Sequence, residues 1–190
     1  MPLDRRRNQA NRRRGRTRHL QRGLALQVGP ADHVRGLSTA PLALFVYGDY
    51  ECPYTRQLEL SLAPLRHSDS DSFRYVSRYF PLRDINPHAQ MPAEAAEAVY
   101  ALAGRDAFWV MHDALFANQD DLRVENLERQ ATAAGVDPRT FRAALKTGRF
   151  AERIERDIRS GRANGVVGYH PFSSTVSAIS VRVTPPPCAP

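Results

Sequence analysis

An α/β fold with an α-helical insertion is predicted by three features of this sequence. They are a strand–helix–strand run over about 42–80, a block of helical sequence over about 86–163, and a tight turn, Gly48 to Pro53, joining the first strand to its helix. Leu42-Ala43-Leu44-Phe45-Val46-Tyr47 is a short apolar run bounded by Pro41 and Gly48, the pattern of a strand covered on both faces. The helix expected over 53–66 places Leu58, Leu62 and Leu65 on one side. A charged turn, His67 to Ser72, separates it from a second strand, Phe73 to Phe80, in which Phe73, Tyr75 and Ser77 alternate with Arg74, Val76 and Arg78. Strand, helix and strand at this spacing form a βαβ unit with a right-handed crossover.

The insertion is read from stop signals. Pro92 to Ala103 is rich in alanine and glutamate and ends at Gly104. Asp106 opens a helix carrying Phe108, Met111, Leu115 and Phe116 at helical spacing. Val124 to Ala134 is closed by Gly135. Asp137-Pro138 supplies a cap and a first-turn proline for 138–147, which stops at Gly148. Phe150 to Arg162 turns Ile154 and Ile158 inward. Residues 172–190 are rich in Ser, Thr, Val and Pro. Ile179, Val181 and Val183 alternate as one short strand before the triple proline at 185–187.

The charge is unevenly placed. Of 27 basic and 20 acidic residues, nine arginines and Asp4 lie in 1–22, which leaves 18 basic and 19 acidic residues in 23–190. Residues 1–22 are expected to be a disordered basic tail and 23–41 a connector, with the folded domain over 42–190. The tail reads as a nucleic-acid or anionic-surface arm, or as a solvated tail or over-long start; the second reading is preferred. The consecutive arginines lack the apolar stretch of an export signal, and no run of about 20 apolar residues suggests a membrane span. Two cysteines, Cys52 and Cys188, build neither a disulfide framework nor a zinc site. The expected location is the cytoplasm, where thiols stay reduced.

Chemistry is concentrated at Gly48-Asp49-Tyr50-Glu51-Cys52-Pro53-Tyr54-Thr55. A cysteine between a buried strand and the first turn of a helix meets unpaired N–H groups and the positive end of the helix dipole, and both favour the thiolate. Pro53 suits the first helical position, where its missing N–H costs nothing. Asp49 and Glu51 flank the thiol and oppose the helix. His88 and His112 sit in helical sequence, where polar or capping roles are expected.

These segments resemble the DsbA-like branch of the thioredoxin superfamily. The resemblance spans roughly 33–168. It is carried by Asp32 to Gly36, the Gly48–Tyr54 turn, Arg78-Tyr79-Phe80-Pro81-Leu82, Asn86-Pro87-His88-Ala89, Ala93 to Ala98, Phe108 to Asp113 and Leu115-Phe116-Ala117-Asn118-Gln119. It implies a thioredoxin-like fold with a helical insertion and thiol–disulfide exchange as the activity.

Two departures qualify that implication. The family pattern is Cys-Pro-x-Cys, and here Cys52, Pro53 and Tyr54 are followed by Thr55. A threonine cannot resolve a mixed disulfide, so the expected cycle, intact or impaired, uses one thiol with glutathione or another external thiol as co-substrate and no bound cofactor or metal. Sulfenic acid at Cys52 is another available state. The family also places a proline facing the cysteine, followed by two strands and a helix. Pro171 is the candidate for that proline, and the sequence beyond Phe172 diverges, as truncation or a shifted frame would make it. The C-terminal hairpin and helix are therefore expected to be incomplete, leaving an open sheet edge. Expected partners are protein or low-molecular-weight thiols and disulfides. A non-catalytic binding module and a nucleic-acid-associated protein acting through residues 1–22 are the alternatives.

Overall fold

The computed structural model describes residues 26–68, 72–166 and 177–182. Strands β1 (His33–Arg35), β2 (Leu42–Gly48), β3 (Phe73–Tyr79) and β4 (Ser177–Arg182) accompany helices α1 (Pro53–Ser68), α2 (Gln90–Ala117), α3 (Val124–Ala133), α4 (Pro138–Lys146) and α5 (Ala151–Ala163). The sheet order is β1-β3-β2-β4. The predicted βαβ unit is present: β2 and β3 pair in parallel from Leu42↔Phe73 to Gly48↔Tyr79, with α1 between them in sequence.

Pairing register sorts side chains by face. Tyr47 lies beside Arg78 and Leu44 beside Tyr75, so Ala43, Phe45, Tyr47, Val76 and Arg78 share one face and Val46, Tyr75, Ser77 and Tyr79 the other. α5 covers the first: the Tyr47 hydroxyl is 2.8 Å from Ser160 Oγ, which also accepts from Arg78 Nη1 at 2.9 Å. α1 and the second half of α2 cover the other, where the Tyr75 hydroxyl donates to Glu59 and its ring lies 5.8 Å from Trp109. Covering both faces explains why Tyr75 through Tyr79 are all buried, the polar Ser77 and charged Arg78 included. Arg78 is neutralised rather than excluded. Its guanidinium donates to both carboxylate oxygens of Asp32, at 2.9 and 2.8 Å, and lies 4.7 Å from the centre of the Phe45 ring.

One expectation about the sheet needs correction. The 23–41 connector contains β1, which pairs antiparallel with β3 through His33↔Ser77 and Arg35↔Tyr75. Three residues are too few for a periodic apolar signal, and His33 is buried by an ion pair with Glu97 (2.7 Å) and by stacking on Phe108 at 3.7 Å. The short strand expected around Ile179 and Val181 is β4, which runs antiparallel to β2 from Leu42↔Arg182 to Tyr47↔Ser177 and is an edge of the sheet among the described residues. β4 ends one residue before Val183. The basic tail 1–22 and residues 183–190, including Cys188, lie outside the described residues.

The helical block follows its stop signals. α2 is two helices joined at Gly104, whose φ of 81° and ψ of −166° are readily available only to glycine. Asp137 caps α4 by accepting from Thr140 N at 2.9 Å, with Pro138 at the first helical position. α1 runs two residues past its expected end, to Ser68, and β3 stops one residue early.

Buried charge ties the insertion to the sheet. Glu97 of α2 accepts from His33, lies 3.4 Å from Arg153 Nε, and is almost fully enclosed. Burial pushes its carboxyl up, but His33 and Arg153 outweigh burial and hold it below the ordinary glutamate value of 4.5. A lowered folded value stabilises the protein fully above the unfolded value, and that contribution is lost as pH falls through the folded value. Glu97→Gln is therefore expected to cost about 2 kcal/mol near neutral pH, by removing the charged acceptor that meets His33, while Arg153 keeps its ion pair with Asp157. Urea unfolding at several pH values should show the difference from the parent narrowing under acid conditions; a pH-independent difference would contradict it.

Candidate active site

The turn between β2 and α1 is built on Asp49. Cys52 N donates to the Asp49 carbonyl at 3.1 Å, and Glu51 N donates to Asp49 Oδ1 at 2.8 Å. The other carboxylate oxygen accepts from Leu82 N at 2.9 Å and from Asn86 Nδ2 at 2.7 Å. Asp49 is 3% exposed. Burial pushes its carboxyl up, and the bonds from Asn86, Leu82 and Glu51 only partly offset this. Glu51 reaches the same neighbouring segment, its Oε2 accepting from His88 N at 2.9 Å. Both flanking acids thus pin the turn to residues 82–88, and His88 takes part through its backbone.

Cys52 stands at the start of α1. Its carbonyl accepts from Arg56 N at 3.1 Å, the first bond of the helix, and Pro53 is the first helical residue. The cysteine is a half-buried free thiol, Pro53 is exposed, and Tyr54 is half-exposed at 50%. Thr55 faces inward. It is 3% exposed, and its Oγ1 accepts from Asp49 N at 3.4 Å. Gly48 makes room for it: a Cβ at 48 would come within 3.1 Å of the Thr55 methyl carbon. Cys52, Pro53, Tyr54 and Thr55 therefore occupy one helix start, with the sulfur-bearing residue partly accessible and the hydroxyl-bearing one beneath it. Pro171 lies outside the described residues.

α2 closes the site from the opposite side. Tyr50 is buried, its hydroxyl 2.8 Å from His112 Nδ1 and its ring 4.8 Å from Phe116. Burial, with Glu59, Glu97 and Asp113 nearby, holds the Tyr50 phenol well above its ordinary value, so it stays protonated. His112 Nε2 lies 3.7 Å from Glu59 Oε2 on α1. Gln119 Nε2 donates to the carbonyls of Tyr50 at 2.8 Å and Cys52 at 2.9 Å. Gln119 and Asn86 were visible in the sequence as parts of the resemblance, without roles. Their partners are 37 to 69 residues away, beyond the reach of any local pattern. Among the described residues no cluster of His, Cys, Asp or Glu side chains is suited to a metal ion, and no helix is long and apolar enough to cross a membrane.

A cysteine at the start of the helix of a βαβ unit, with helices following the second strand, is the arrangement of a thioredoxin-fold thiol protein. A thioredoxin family model matches residues 29–169. Among solved structures, oxidised BdbD from Bacillus subtilis superposes with a TM-score of 0.64 at 22% identity, covering 73% of this chain and 78% of that one. DsbA2 from Pseudomonas aeruginosa gives 0.61 at 22% identity, covering 82% and 88%. The catalytic domain of Proteus mirabilis ScsC gives 0.65 at 18%, covering 83% and 80%. The chain belongs to the thioredoxin family that this model describes, and it shares its fold with these structures. Curated relatives are longer. A Na+/H+ antiporter NhaA of Salinispora tropica is 45% identical over 150 residues, 78% of this chain and 22% of that protein. One of Salinispora arenicola is 40% identical over 171 residues, 85% and 26%. The chain spans about a quarter of the length of these relatives.

Proposed function

We propose that this chain catalyses thiol–disulfide exchange through Cys52 alone. The observation that carries the reading is the pairing of a half-buried Cys52 at the start of α1 with an inward Thr55 at the position of the family's second cysteine. The Cys52 thiolate attacks one sulfur of a substrate disulfide. A bond forms between Cys52 Sγ and that sulfur, the substrate S–S bond breaks, and the other sulfur leaves as a thiolate. A low-molecular-weight thiol such as glutathione, as its thiolate, then attacks the mixed disulfide at the Cys52 sulfur. This releases the substrate thiol and leaves Cys52 joined to the small thiol. A second small thiol frees Cys52 and carries away the oxidised pair. The net reaction reduces one substrate disulfide and oxidises two small thiols. Protein disulfides are the substrates favoured by the family, and cytoplasmic thiols would drive the cycle toward reduction.

The Thr55 hydroxyl cannot replace the family's resolving thiol, so restoring that thiol is the direct test. Thr55→Cys places a second sulfur one helical turn from Cys52 and should raise insulin reduction with dithiothreitol by roughly tenfold, as expected for intramolecular resolution. Cys52→Ser should remove the activity in either background. A folded Thr55→Cys protein with no gain, or a parent activity that survives Cys52→Ser, would count against the reading.

A second reading is favoured by the antiporters that are 40–45% identical over most of this chain. In it, the fold serves as a redox module for a Na+/H+ antiporter, with the state of Cys52 setting transport. Sodium tolerance should then differ between cells bearing such an antiporter and expressing this chain with or without Cys52. Equal tolerance argues against it.

A further inference from the structure

The Gln119 amide makes two bonds that single-thiol chemistry does not by itself require. Gln119 follows the last residue of α2 by two positions, and its Nε2 meets the carbonyl oxygens of Tyr50 and Cys52 at 2.8 and 2.9 Å. Both partners are acceptors, so the NH2 end of the amide must face them, one hydrogen to each. The Cys52 carbonyl also accepts from Arg56 N at 3.1 Å, so both of its lone pairs are engaged.

These bonds have a geometric consequence for the sulfur. Sγ is carried on the same Cα as the doubly bonded carbonyl, and fixing that peptide plane removes rotation about the Cα–C bond of Cys52. Tyr50 gives a second fixed point two residues upstream, where α2 holds its hydroxyl through His112 and its ring against Phe116. On the other side, Asp49 and Glu51 tie the turn to Leu82, Asn86 and His88. The turn is thus braced from two directions, and Gln119 is the brace that reaches the cysteine itself.

We propose that Gln119 is a positioning residue for exchange at Cys52: its amide fixes the peptide bearing the nucleophile and holds Sγ on the line of attack at the start of α1. The inference rests on the exchange cycle proposed above. Attack on a disulfide requires the incoming sulfur to align with the bond being broken, and a peptide disulfide has few approaches to a half-buried thiol. A small alkylating reagent can reorient around the same sulfur. Loss of the brace should therefore affect exchange more than alkylation.

The test uses full-length protein with Cys188→Ser, so that Cys52 is the one thiol, and compares Gln119→Leu and Gln119→Asn with the parent. Leucine has no donor, and asparagine is one methylene too short to span both carbonyls. Exchange with a disulfide-bonded peptide is expected to fall roughly tenfold in both, from misplacement of the attacking atom. Alkylation by iodoacetamide should stay within about threefold, with a cooperative thermal transition retained. Unchanged exchange, a parallel fall in both rates, or failure of both variants to fold would overturn the positioning role and leave the cycle standing. Parent exchange no faster than that of Cys52→Ser would instead be a failure of the cycle, and the inference would fall with it.

Discussion

The turn before α1 is fixed by hydrogen bonds to two other parts of the chain, the 82–88 segment and Gln119, and the candidate site depends on that constraint. A helix begins with N–H groups that lack intrahelical partners, and their combined field is useful only if a nucleophile is held within it. Here the holding is done by an aspartate buried beneath the turn and by a glutamine from the far end of the inserted helices. Asp49 serves three donors at once, which is why it tolerates being almost fully enclosed. The helical insertion thus contributes to the site as well as to the core.

The same economy appears under the sheet. Alongside its apolar side chains the core encloses His33, Glu59, Arg78, Glu97, His112 and Asp157. Each is placed where an opposite charge or a hydroxyl meets it, as with Arg78 on Asp32 and Glu97 on His33. Such pairs add little net stability compared with a well-packed apolar core, but breaking one leaves an uncompensated charge. They therefore specify which element lies against which: β1 and α2 through His33–Glu97, and α5 and β3 through the Asp157 carboxylate accepting from Tyr79 N at 3.1 Å.

Local chemistry was legible in the sequence wherever its signal was local. Pro41 and Gly48 bound β2, Gly104 interrupts α2, Asp137 and Pro138 open α4, and Pro53 opens α1 directly after Cys52. Long-range contacts were not. β1 was missed because a three-residue strand has no period to detect, and its burial is set by Glu97, 64 residues away. The burial of Arg78 follows only once Asp32 and Phe45 are placed beside it. Asp49 and Glu51 read as charges acting on the thiol, whereas their oxygens are committed to the backbone of the 82–88 segment. Gln119 was legible only as the end of a segment of the resemblance, because its partners Tyr50 and Cys52 lie 69 and 67 residues away.

The most direct measurement is intact-mass and peptide-level mass spectrometry after brief exposure of the full chain to oxidised glutathione. A single glutathione adduct on Cys52, formed faster than on Cys188 and removed by added thiol, is the result expected of a nucleophile held open at a helix start. An unmodified Cys52 in a folded chain whose Cys188 is glutathionylated would contradict it.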